Sequence, residues 1–478
     1  MKHVLWIASL LAVLSAPALA ADALMVASAG SPVGIPHGCI GTAAKTSHED
    51  TPTATQTAAP PAGDPDTGGV QAEYLGNPLR ERYPDREGLG FARTVWDLTA
   101  WRNRLYIASG NSGNSGPAAN AGPVDVWYFD PHATRFVKEY AVDDEQIERY
   151  CVLPDGLYIP GHDAMESWDY GNIYANRGDG WTKLRTLPNA IHVYDIAEWH
   201  GQLVAVGHSL QELAAGAGYH GGGAFFISSD GGSTWECDLT VCTHYAGTEA
   251  FDPTRPDSVR FTELFEFNGE LFASGWLMPT LYRLDNGRFE HVDVNMFPGL
   301  EDSLGTPCTE LPETSAAFVE SVSSDPQWIA AFQMHDPCMT ARITRNVAFG
   351  NELVYVGAQM GEDHDWVSFG LYSAEGIQNG LVREISTPDE SDQLRDLLVV
   401  GDRLYLLACQ RSLQTPRSRI YSTKDLVHWS VLYEFCEDAE AYSFEHLGNW
   451  IYVGFGGGRS ASGDIYRVPL DRLLESDE

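Results

Sequence analysis

The chain has 478 residues, with 30 Lys+Arg against 66 Asp+Glu, a net charge of -36 and a pI near 4.6. That field repels polyphosphates and excludes a nucleic-acid partner. A hydrophobic fraction of 44% with 13 Trp, 21 Tyr and 19 Phe supplies a large core and excludes a wholly disordered chain.

In chain order, Lys2 and His3 precede an apolar run from Val4 to Leu14 and the small-residue stretch Ala16-Pro17-Ala18-Leu19-Ala20. This is the layout of a secretory signal cleaved after residue 20, so a secreted protein, extracellular or periplasmic, is expected. No later stretch approaches the roughly 20 apolar residues that span a bilayer, and no membrane partner is expected. Residues 21–85, with Thr51-Pro52-Thr53-Ala54-Thr55 and Pro60-Pro61-Ala62-Gly63, read as a disordered linker.

Beyond residue 86 one pattern recurs: a polar residue, an alternating apolar run, a tight Gly/Asn/Asp turn, then a second apolar run ending in small residues. The copies are Thr94 to Gly110, Gln146 to His162, His192 to His208, Arg260 to Trp276, Arg342 to Ala358, Gln393 to Cys409 and Glu440 to Gly456. Each is followed by a further strand pair, such as Val124 to Phe129 with Phe136 to Val142. Four short antiparallel strands per unit, without a long helix, predict an all-β, seven-bladed β-propeller over residues 86–470, with 471–478 as a tail. The interval from Phe297 to Ala341 reads as a loop insertion, or, through the hairpin-like Ala316 to Gln333, as an eighth irregular blade.

In the third copy Ser228-Ser229-Asp230-Gly231-Gly232-Ser233-Thr234-Trp235 matches S-x-D-x-G-x-T-W and resembles the Asp-box of sialidase-like propellers. Asp and Gly form its turn and Trp packs beneath, a structural role. Ser422 to Trp429 and Gly178 to Trp181 resemble degenerate versions of this hairpin.

Equivalent positions of the copies fall on circles around the propeller axis. The inner-strand starts are Thr94, Gln146, His192, Arg260, Arg342, Gln393 and Glu440; the second-strand ends are Gly110, His162, His208, Trp276, Ala358, Cys409 and Gly456. His162, His192, His208, Arg260 and Trp276 thereby converge on copies two to four. Three positions into the inner strand stand Asp97, Arg149, Asp195, Glu263, Arg345, Asp396 and Ser443. Their opposite signs predict ion pairs lining the axial channel, with a ligand-binding channel as the alternative.

Eight cysteines in an exported chain favour disulfides. Cys237 with Cys242, Cys308 with Cys338 and Cys409 with Cys436 are the natural pairs, leaving Cys39 and Cys151. The competing reading is a metal site on Cys308, His335 and Cys338, holding a structural zinc, with calcium as the other structural ion considered.

Copies two to four resemble the seven-bladed polysaccharide lyases, in particular propeller ulvan lyases, which use a His, His, Tyr, Arg set in that chain order. His192, His208, Tyr245 and Arg260 stand in this order. The resemblance implies β-elimination at a uronic acid of a polysaccharide, without a required cofactor, by a monomer. Arg260 would neutralise the carboxylate, Tyr245 or His208 would take the neighbouring proton, one of them would protonate the leaving oxygen, and His192 would hold the uronate. His162, Trp276, Tyr219 and Arg342 would contact substrate, with Tyr219 the substitute for Tyr245. The sialidase chemistry is disfavoured because its early Arg-Ile-Pro signature is absent. A noncatalytic propeller binding glycan or protein stays open, as does a glycoside hydrolase drawing on Asp163, Glu166 and Asp169, which needs two carboxylates about 5 to 10 Å apart.

Overall fold

The computed structural model describes residues 71–475, apart from 86–87, 113–119, 168, 213–218, 238–259, 277–280, 301–340, 361–365 and 411–414. Seven antiparallel sheets follow one another and form a β-propeller. The repeat pattern places the inner strand pairs well. Arg260–Phe267 with Glu270–Trp276 opens blade four, and Glu440–Leu447 with Trp450–Gly456 opens blade seven. In register, Arg260 pairs with Trp276, Arg342 with Ala358, Gln393 with Cys409 and Glu440 with Gly456. Starts and ends of the aligned copies therefore lie at one rim. The apolar alternation packs blade on blade: Val204, Val206 and Phe225 of blade three meet Phe261, Leu271 and Ala273 of blade four in one buried cluster. The hairpin expected at Ala316 to Gln333 lies outside the described residues.

Blades one and two depart from the pattern. Their inner strands, Leu98–Trp101 and Cys151–Leu153, begin several residues after Thr94 and Gln146. The rim residues pair sideways instead: Gly110 with Gln146, Gln146 with His162, and His162 with His192. Asp144–Gln146 and His162–Ala164 thereby join blade three, whose sheet has six strands.

In blades three to seven the inner pair slips register at an equivalent place, between Val193/Asp195, Phe261/Glu263, Ile343/Arg345, Leu394/Asp396 and Ala441/Ser443, and blade three slips a second time between Ala190/His192. A bulge inserts one residue and shifts the alternation that follows. The residue three positions into each copy can then serve the axis. Asp97, Asp195 and Asp396 accept the backbone N–H of Tyr150, Leu264 and Phe444, each in the next blade, at 3.1, 2.8 and 3.1 Å. Arg149 pairs with Asp195 at 3.1 Å and Glu263 at 2.5 Å, and Arg345 with Asp396 at 3.0 Å. The expected ring of ion pairs is present, beside an axial cavity of about 310 Å³.

The Ser228 to Trp235 hairpin is held by its Asp. Asp230 Oδ1 accepts the N–H groups of Ser233 and Thr234 at 3.0 and 2.9 Å, and Trp235 Nε1 donates to Thr186 Oγ1 at 3.0 Å. Asp425 accepts from Val427 and His428 in the same way, at 3.0 and 2.8 Å.

The reading of residues 21–85 as linker is corrected at its C-terminal end. Glu73–Gly76 is the outermost strand of blade seven, paired with Ile465–Pro469. Leu79 and Tyr83 are buried, and fully buried Arg93 donates to Ser462 O at 2.8 Å and Tyr83 O at 2.7 Å while pairing with Asp85. An outer strand is held mainly by backbone pairing, so its polar composition did not mark it. The tail likewise begins inside a helix, Leu470–Glu475, whose Leu473 is fully buried.

No disulfide joins two of the described cysteines, so the expected Cys409–Cys436 pair is not formed. Cys409 lies opposite Ser418, which lies opposite Phe435, placing Cys436 two strand spacings away, roughly 10 Å, beyond disulfide reach. Cys242, Cys308, His335 and Cys338 fall outside the described residues, and with them the other two pairs and the cysteine metal set.

Candidate functional site

The rim of blades two to five gathers a cluster of titratable side chains. His192 is paired across the sheet with both His162 and His208, so strand register alone brings the three imidazoles together. Ring centroids of His162 and His192 are 5.3 Å apart, and His208 stacks on His192 at 5.7 Å. Arg260, at the equivalent position of blade four, donates from Nη1 to the Tyr194 hydroxyl at 2.8 Å. Tyr194 lies against His162 and His192, with centroids at 5.1 and 5.4 Å. Arg342 reaches from blade five to Glu148 in blade two at 3.4 Å, its guanidinium 3.8 Å above the Trp366 ring.

Two carboxylates enter from blade two. Glu148 Oε2 is 3.3 Å from His162 Nδ1, and Asp163 Oδ1 is 2.9 Å from His192 Nδ1. Both distances permit charge pairing, yet neither nitrogen is aligned for a hydrogen bond, and the His208 Nδ1 has no hydrogen-bond partner either. Strand neighbours ordinarily point to opposite faces; Asp163 carries a left-handed φ of 61°. That turn lets its carboxylate share the cluster with His162.

Burial pushes His192 down to about 4, Asp163 offsetting only part of the effect. His208 is driven well below the ordinary histidine range by burial, then by the nearby Arg260 charge. Burial also opposes a charged His162, but Glu148 outweighs it and raises that histidine. Burial and its surroundings push the Tyr194 hydroxyl up to about 12. At neutral pH the site thus combines neutral His192 and His208, a protonated Tyr194 and the arginines.

Of the residues expected here, His162, His192, His208, Arg260 and Arg342 are brought together. Trp276 ends its strand opposite Arg260 as the repeat requires. Tyr219 pairs with Glu212, four residues beyond the His208–Gly223 pair, so the register carries its backbone roughly 13 Å along the strand from His208. Tyr245 lies outside the described residues. Asp163 belongs to the cluster, whereas Glu166 pairs with Lys183 and Arg185 at 3.3 and 3.0 Å and Asp169 accepts from Ser167 at 2.8 Å. The three are thus engaged with different partners.

Sequence reasoning missed Glu148 and Tyr194. Both sit two positions into their copies, after Gln146 and His192, and Tyr194 is the extra residue of the blade-three bulge. Aligning that third column would have exposed them.

The sequence matches no protein-family model and no curated protein. Solved structures with a similar fold include a virginiamycin B lyase from Staphylococcus aureus with quinupristin, 10% identical over 79% of this chain and 96% of that one, TM-score 0.41. The WD40 domain of Neurospora crassa Pan2 is 9% identical over 83% and 93%, TM-score 0.45. A GH93 alpha-L-arabinofuranosidase of Fusarium graminearum with arabinobiose is 12% identical over 80% and 94%, TM-score 0.37. This chain resembles β-propellers of varied function, and the likeness concerns fold alone.

Proposed function

We propose that the protein is a secreted polysaccharide lyase that cleaves uronate-containing glycans by β-elimination at the histidine rim. The observation that carries this reading is the Arg260–Tyr194 contact of 2.8 Å set against buried His192 and partly buried His208. A proton beside a carboxylate is poorly acidic until the carboxylate charge is neutralised, and Arg260 supplies that neutralisation. An incoming uronate offsets the Arg260 charge that depresses His192 and His208. Binding of the substrate thereby makes the imidazoles more basic. His208 takes the proton, the electron pair forms the carbon–carbon double bond, and the glycosidic C–O bond breaks. The Tyr194 hydroxyl, protonated and oriented by Arg260, returns a proton to the leaving oxygen. His192 and Arg342 hold the uronate.

The test is to incubate the purified protein with a panel of uronate polysaccharides and follow absorbance of the unsaturated product. Turnover that disappears in Arg260→Ala supports the reading. No product with any member of the panel sinks it, and retention of a polysaccharide without cleavage would favour a noncatalytic glycan-binding propeller.

A further inference from the structure

We propose that His162, Asp163 and His192 form a binding site for one divalent first-row transition ion of the zinc class. One ring nitrogen of each histidine and a carboxylate oxygen of Asp163 lie within 4.8 Å of one another. The two histidines are only 8% and 7% exposed, and the Nδ1 atom of each is buried without a hydrogen-bond partner. Each Nδ1 faces a carboxylate oxygen, Glu148 at 3.3 Å for His162 and Asp163 at 2.9 Å for His192, without hydrogen-bond alignment, and a cation held between nitrogens and carboxylate would satisfy these buried groups.

The backbone fixes this geometry. His162 and His192 are directly opposed across an antiparallel pair, which sends both imidazoles to one face. The left-handed φ of 61° at Asp163 brings its carboxylate to within 2.9 Å of His192. His162 Nε2 contacts Ser112 Oγ at 3.2 Å, and Ser112 Oγ lies 3.3 Å from Gln146 Oε1. An outer partner of this kind fixes ring orientation and tautomer and leaves Nδ1 as the donor atom. Two imidazoles and one carboxylate suit zinc and its neighbours, whereas calcium takes oxygen ligands only. Tetrahedral ligand atoms at about 2.0 to 2.2 Å from zinc stand roughly 3.3 Å apart, so modest side-chain rotation closes the set and leaves one position for water or a substrate oxygen. Arg260 opposes a cation here, but its Nη1 is engaged by Tyr194, and Asp163 and Glu148 supply compensating negative charge.

The full protein, stripped with a chelator, is titrated with Zn²⁺ against a chromophoric chelator and with Co²⁺ for its visible spectrum. One equivalent of Zn²⁺ is expected, with cobalt ligand-field bands and no thiolate charge-transfer band. His192→Asn and Asp163→Asn should each weaken binding at least tenfold, and His132→Gln, at an exposed histidine elsewhere, should not. Absence of a stoichiometric site in the wild-type protein overturns the proposal. So does unchanged affinity in both variants, and so does a thiolate band, which would put the ion on cysteines. Because the wild-type titration and cobalt spectrum decide by themselves, a variant that fails to fold leaves the test intact. Glycan cleavage is assayed in parallel on the stripped and loaded protein. Turnover without metal binding keeps the lyase reading and removes this one, while metal binding without turnover does the reverse.

Discussion

Tyr194 touches both His162 and His192 through its ring and Arg260 through its hydroxyl, so its two ends do separable work. Tyr194→Phe keeps the ring contacts and removes the acceptor. Under the lyase reading kcat should fall tenfold or more while polysaccharide retention and thermal stability stay near wild type, as steady-state kinetics and a melt will determine. Arg260→Ala should lower kcat/KM by about two to three orders of magnitude, as the loss of a transition-state charge partner does. A second residue-scale effect sits beside the axial cavity. Burial raises Glu445 to about 7, against hydrogen bonds from the His446 and Ala100 N–H groups, with the Asp97 charge raising it further. A carboxyl whose folded value lies above its unfolded value contributes most below the unfolded value, and the contribution fades as pH rises through about 7. Glu445→Gln should therefore match wild type in melting near pH 4.5 and exceed it by about 1 kcal/mol or more at pH 8.

At the scale of one strand pair, the bulge is the device that builds both the axial ring and the site. It recurs at the same place in blades three to seven, turning the residue three positions into the copy toward the axis and freeing the one before it. In blade three the extra residue is Tyr194; in blades six and seven the extra residues are Arg395 and Tyr442, and the Arg395 guanidinium lies over the Tyr442 ring at 4.4 Å. Gly207 faces Val193 at the bulge, where a Cβ would meet His192 O at 2.0 Å. That atom is backbone and cannot swing aside. Gly207→Ala should cost about 2 kcal/mol or more and displace His192, which a denaturant titration paired with the zinc titration will read together.

At the scale of the molecule, the last blade is completed by the strand Glu73–Gly76, which precedes blade one in the chain. Arg467 pairs with Glu73 at 2.7 Å, and Asn77 Nδ2 donates to Asp464 Oδ1 at 2.7 Å and Ser462 O at 2.9 Å, so the 73–77 segment is tied to the last blade at several points. A protein beginning at Gln71 should melt like one beginning at Ala21, whereas one beginning at Asn77 should lose several degrees. Equal melting of the two shortened forms would refute this closure. The rim is divided at the same scale: blades two to five carry His162, His192, His208, Arg260 and Arg342. Across the ring, Trp96 packs edge-on against Tyr442 at 5.5 Å and Arg395 pairs with Glu440 at 2.5 Å. The far half thus engages its own side chains in these contacts, while the histidine half carries the titratable cluster.

Apolar alternation with a recurring tight turn determined the seven-bladed fold from the sequence, because inner strands buried between blades permit little else. Aligning the copies also determined that His162, His192, His208, Arg260 and Arg342 share a rim, since equivalent positions of a closed repeat share a circle. Tertiary structure alone decided the rest. Sideways pairing of Gln146 and His162 into blade three, the left-handed turn at Asp163 and the bulge at Tyr194 each break the regular alternation on which a sequence pattern depends. The closing strand Glu73–Gly76 was likewise invisible, because its partner at Ile465–Pro469 lies at the other end of the chain and backbone hydrogen bonds leave no side-chain signature.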